Sequence, residues 1–191
     1  MVTINNEVQK PDDATLIVRR MLKAPQELAF KTWTTGEHIQ QWMRPEPGMV
    51  VPLAVMDLRV GGKFRIQMKK PDGEFFTAAG EFREVKPPER VVYTWDWEKD
   101  GCGVKFGEVE GKPSLITVEF LKRGERTEMV LIHSRFATVE SRDSHARGWG
   151  KIAESFAMFV QFAFEISRRI EVLSSLHYAV SYTHLTLPTK A

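Results

Sequence analysis

The run Asp143–Arg169, DSHARGWGKIAESFAMFVQFAFEISRR, decides the fold. Trp149, Ile152, Ala153, Phe156, Val160, Ala163 and Ile166 recur at steps of three and four and form one apolar stripe. Lys151, Glu154, Gln161, Glu165 and Arg168 fall opposite it. Phe159, Phe162 and Phe164 widen the stripe around most of the circumference, which suits a helix gripped by a sheet better than one lying on a surface. Ser141, Asp143 and Ser144 are competent N-caps, and Asp143 would set a carboxylate at the positive end of the helix dipole. Glu165 and Arg169 form an i,i+4 pair near the other end. At about 1.5 Å per residue the helix is about 40 Å long, enough to cross a small sheet.

Outward from that helix, the chain supplies the sheet. Ala14–Met21 alternates as a strand and Lys23-Ala24-Pro25 ends it. Two short helices follow, broken at Thr35-Gly36, with Trp33 and Trp42 as anchors. From Met49 the period drops to two. Turns at Gly61-Gly62, Pro71-Asp72-Gly73, Lys86–Glu89 and Arg123-Gly124-Glu125 separate the strands, and Gly80 is expected to mark a bulge or bend. Arg90–Trp97 places Val91, Tyr93, Trp95 and Trp97 on one face. Residues 99–113 hold four glycines and no period, and read as an excursion between neighbouring strands.

This order, strand, two short helices, a meander and a long helix, predicts an α+β domain. A curved antiparallel sheet of about six to seven strands wraps the C-terminal helix and leaves a cavity between them. One domain is expected over residues 13–172. Residues 1–12 read as a polar lead-in, and 173–191 as the truncated end of the helix plus a tail. That tail contains VSYTHLTLPT at 180–189, which resembles a translated sequencing adapter and therefore carries no functional weight.

With 42% hydrophobic and 27% charged residues, the composition is that of a globular protein. A net charge of +2, with basic residues interleaved among acidic ones, is too small to argue for nucleic acid or an anionic membrane, and neither is expected as a partner. Neither an export signal nor an eighteen-residue apolar span is visible, so a cytoplasmic location is expected. The single cysteine, Cys102, cannot form an internal disulfide and reads as a loop thiol. No histidine or cysteine pair has ligand spacing, so neither a metal nor another cofactor is implied.

Several side chains are candidates for a site. Asp57 and Arg59, two apart on an expected strand, would share a face and either pair structurally or grip a polar ligand group. His145 could serve as a general base with Asp143 as orienter, although residues two apart on a helix do not face each other. His133, among Met129 and Leu131, reads as a packed core histidine. Trp95, Trp97, Trp149 and Phe156 would line a cavity or fill the core.

Four runs, AFKTWTTGEHIQQWMRPEPG, DLRVGGKFRIQM with PDG, GEFREVKPPERVVYTWDW and ESRDSHARGWGKIAESF, occur in this order. Together they resemble the bacterial homologues of the heat-shock protein 90 ATPase activator C-terminal domain, within the SRPBCC (START-like, helix-grip) superfamily. The resemblance spans roughly residues 14–169 and implies a helix-grip fold with a hydrophobic cavity, but no particular reaction. The leading expectation is a binding domain that holds a small apolar molecule, with its mouth near Trp42, Arg44 and His145. A chaperone contact, as the family's name suggests, and a cyclase- or hydrolase-like enzyme using His145 are the alternatives.

Overall fold

The computed structural model describes residues 7–98 and 113–183, with side chains described as far as residue 174. Cys102, residues 99–112 of the glycine-rich run, and the tail from residue 184 lie outside the described residues.

The elements follow the expected order: β1 (Glu7–Asp12), β2 (Thr15–Leu22), α1 (Gln26–Thr34), α2 (Gly36–Trp42), β3 (Val50–Met56), β4 (Lys63–Lys69), β5 (Phe75–Lys86), β6 (Arg90–Trp97), β7 (Ser114–Arg123), β8 (Arg126–Ser134) and α3 (Val139–Thr183). The strands form one antiparallel sheet in the order β1-β2-β8-β7-β6-β5-β4-β3. The meander β3 to β8 is thus extended by β2, which returns to pair with the last strand, and α3 lies against it in a helix-grip arrangement. The extra strand is β1: the residues expected as a polar lead-in pair with β2 through Glu7↔Arg19 and Val8↔Val18 while staying exposed throughout.

Alternation within each strand builds the inner wall. Register aligns Leu16, His133 and Ile116 in one cross-strand row and Val18, Leu131 and Val118 in the next, all essentially inaccessible to solvent. The α1–α2 arm closes one side. Trp33 stacks on Trp42 with ring centroids 4.8 Å apart, and Phe156 of α3 meets both edge-on at 5.0 and 4.9 Å. The indoles are tied down as well, Trp33 Nε1 donating to Tyr93 Oη and Trp42 Nε1 to the Thr32 carbonyl. Trp33 and Trp42 are therefore the anchors the sequence suggested.

Four expectations about local structure change. The helix begins at Val139, before the proposed caps, and Thr138 Oγ1 accepts from the Ser141 N–H. Asp143 is consequently an internal residue and pairs with Lys10 and Arg142. Asp57 and Arg59 lie past the end of β3, in the turn toward β4, rather than on a strand. The bulge of β5 falls between Phe82 and Glu84, not at Gly80. Gly80 is instead a point of close approach, since a Cβ there would sit 1.9 Å from the Thr94 carbonyl oxygen and 2.6 Å from the Phe64 ring.

The fourth change concerns the grip itself. Trp149, Ile152, Ala153, Phe156 and Val160 are buried, but beyond them Phe162 is 62% exposed and Leu173 66%. Full burial on α3 ends at Val160, with Phe164 still partly packed against the core, so the gripped span is about 30 Å while the 45-residue helix is roughly twice as long. Phe162 and Ile166 thus belong to a stripe that continues past the wall it was expected to bury against.

Candidate functional site

Where the first third of α3 passes the ends of β4, β5 and β6, the two layers separate and enclose a cavity of about 510 Å³. Trp95 and Trp97 of β6, Met68 of β4 and Phe76 of β5 form its sheet side. His145, Gly148, Trp149 and Ile152 form its helix side, and Met43 and Met49 from the connection after α2 border it. Gly148, which lies in the lining between His145 and Ile152, adds no side chain to the helix side. A Cβ at Gly148 would meet nothing within 4 Å.

Two histidines hold the tryptophan walls. His133, on β8 in the middle of an apolar row, is fully buried. Trp149 Nε1 donates to His133 Nδ1 at 3.0 Å, and because an indole N–H only donates, Nδ1 must be the unprotonated nitrogen. The proton therefore sits on Nε2, 2.8 Å from Ser114 Oγ, whose own hydrogen goes to the Trp95 carbonyl at 2.8 Å. Every position in this chain is used by the neutral ring. Burial, helped by the proximity of His145, pushes the His133 pKa well below its ordinary value.

His145 is set in the opposite tautomer. Its Nδ1 lies 2.8 Å from the Ser141 carbonyl, which can only accept, so Nδ1 carries the hydrogen and Nε2 accepts from Trp97 Nε1 at 3.4 Å. Burial lowers its pKa, opposed by the bond to Ser141. The two rings meet edge to face with centroids 5.0 Å apart. Backbone, not Asp143, orients His145, so the His145–Asp143 dyad considered from sequence is not formed.

Of the residues expected to bind a ligand, Trp95, Trp97, His145 and Trp149 come together around the cavity. Trp42 and Phe156 are fully buried in the core behind it. Arg44 is exposed and donates to the Gln40 carbonyl, outside the lining although Met43 and Pro45 on either side belong to it. Asp57 and Arg59 pair with each other at 2.9 Å, largely exposed and outside the lining. Sequence reasoning missed the methionines, Ser114, and the part His133 plays in fixing Trp149. The signal available was Met43 and Met49 flanking a proline-rich connection, since methionine commonly fills adaptable apolar space.

Trp95 Nε1 is buried without a hydrogen-bond partner among the described residues, a loss of about 1–3 kcal/mol relative to a satisfied donor. Around the rim, Lys70 is paired with Glu74, and Glu46 also acts on it, so its pKa is raised, chiefly by its hydrogen bond to Glu74. No cluster of three or more metal-ligating side chains occurs among the described residues. Nor is any helix among them long and apolar enough to cross a membrane.

Solved structures with the same fold are similar over most of their length. The AHSA1 protein of Silicibacter pomeroyi is 25% identical, with a TM-score of 0.67 over 78% of this chain and 99% of that one. The Q3J4M4_RHOS4 protein from Rhodobacter sphaeroides is 20% identical, with a TM-score of 0.69 over 85% of this chain and 99% of that one. The AHSA1-like protein of Aeromonas hydrophila is 21% identical, with a TM-score of 0.60 over 77% and 93%. No curated protein matches the chain. The family described as Activator of Hsp90 ATPase homolog 1-like protein matches residues 23–161, which run from the arm through the buried half of α3 and include every side chain lining the cavity. The chain belongs to that family.

Proposed function

We propose that the protein binds a small hydrophobic molecule in the cavity between β4–β6 and the first third of α3. The observation that carries this reading is the cavity of about 510 Å³ beside Trp95, Trp97 and Trp149. Such a volume is within the range of small-molecule sites, which are concave, mostly apolar and supplied with a few polar groups. Here the polar groups are the His145 imidazole and the Trp95 indole N–H. Displacing water from aromatic and thioether walls supplies the driving force, about 25 cal/mol per Å² of apolar surface covered. The histidine-tethered indoles keep the walls apart before a ligand arrives, which lowers the ordering cost of binding.

Native mass spectrometry of freshly purified protein tests the reading. A co-purifying small molecule, or a mass shift on adding an apolar compound with quenching of tryptophan fluorescence, is the expected result. Recovery of a tight chaperone complex together with no uptake of any apolar compound would replace it with the chaperone-contact reading that the family's name suggests.

A further inference from the structure

The cavity is not electrically neutral along its rim, and the imbalance lies on the helix side. Arg147 and Lys151, one turn apart on α3, both line the cavity and both are exposed. Neither makes an ion pair with any described residue. Asp143, one turn before Arg147, is taken by Lys10 at 2.9 Å and by Arg142 at 2.9 Å. Across the cavity the charges cancel more nearly, since Lys70 is paired with Glu74 and feels Glu46. An apolar space of ligand size therefore has two uncompensated cations at one edge, with the Ser144 hydroxyl beside them in the lining.

We infer that the ligand is an anionic amphiphile, a carboxylate joined to an apolar body, whose head is held by Arg147 and Lys151 while the body lies against Trp95, Trp97 and Trp149. This inference rests on the apolar-ligand reading above and narrows it. A guanidinium presents a donor fork that fits a carboxylate, and an ammonium one turn away adds a second charge at the same spot. Both groups sit at the solvent edge, so the head keeps part of its hydration while the body is dehydrated. That division avoids the large cost of burying a charge. A cationic head would meet like charge, and a neutral one would gain no charge-assisted bonds.

Isothermal titration with three probes sharing one tail, laurate, dodecanol and dodecylamine, separates the terms at low salt. Laurate is expected to bind about tenfold tighter than dodecanol, the worth of one charge-assisted contact at a partly exposed site. Dodecylamine is expected to be the weakest. In the doubly substituted Arg147→Gln, Lys151→Gln protein the laurate-to-dodecanol affinity ratio should fall to about one. Raising the salt should shrink that ratio in the unsubstituted protein. Because both side chains are exposed, the substitutions leave the fold standing, which a thermal melt checks. Equal binding of laurate and dodecanol, or a ratio unchanged by the substitutions, overturns the inference and leaves the apolar reading intact. Failure of all three to bind overturns both.

Discussion

Trp149 donates its indole N–H to Nδ1 of His133 across the interior at 3.0 Å, so a residue of the long helix and one of the last strand are locked together in a single protonation state. Protonating His133 would set two donors against each other where no water can reach. The tether that fixes one cavity wall is therefore also an acid-sensitive contact.

Stability should fall on the acid side of neutrality. For His133 and His145 the folded-state pKa lies below the unfolded value, so the unfolded chain binds protons first. Their contribution is complete above roughly pH 6.5 and is lost as pH drops from there toward the folded pKa values, with a slope of up to about 1.4 kcal/mol per pH unit for each ring. Urea melts between about pH 7.5 and about pH 5 should show this slope, and the His133→Gln variant should show a shallower one. Asp143, lowered first by its bond to Lys10 and then by Arg142, adds a separate loss only in the acid range of carboxylates. A flat profile above about pH 5 would contradict the assigned tautomers.

Two phenylalanines six positions apart on α3 should differ sharply. Phe156 is fully buried against Trp33 and Trp42, so Phe156→Ala is expected to cost about 3–5 kcal/mol. Phe162 is 62% exposed, and Phe162→Ala should stay within about 0.5 kcal/mol of the parent. Chemical denaturation of the two single variants checks the contrast. Similar losses would mean that Phe162 is covered in solution.

Gly148→Leu should stabilise the protein while emptying the cavity of ligand. A Cβ at this position meets nothing within 4 Å, and replacing glycine inside a helix is worth about 0.5–1 kcal/mol. The added side chain would occupy the space between His145 and Ile152. A raised melting temperature together with at least about tenfold weaker laurate binding is the expected pair of results, since filling the site removes several buried methylene contacts.

Arg142, only 8% exposed, ties the start of α3 to the β1–β2 turn by donating to the Asp12 carbonyl at 2.6 Å and bridging Asp143. Arg142→Ala removes a buried guanidinium's charge-assisted hydrogen bond and should cost about 1.5–3 kcal/mol. Hydrogen exchange should place the loss in β1, whose amides would open earlier than those of β2 and β8.

The sequence alone determined the order of elements, because period carries that information locally. Steps of three and four from Trp149 to Val160 can only put those side chains on one face of a helix, and alternation from Val91 to Trp97 can only build one face of a strand. Trp33 and Trp42 were legible as the anchors of the two short helices, but the Tyr93 and Thr32 groups that hold their indoles were not. Tertiary structure decided everything that depends on where one element stops relative to another. The stripe continues through Phe162 and Ile166 in sequence, yet the sheet is too narrow to cover them. His133 and Trp149 are 16 residues apart, and only the register of β8 under α3 makes one the acceptor for the other. Asp143 looked like a cap because capping is a local pattern, but the helix starts where Thr138 supplies a side-chain oxygen. Whether four tryptophan-rich elements close into solid core or stand apart around a cavity is likewise set by long-range packing, which no spacing along the chain encodes.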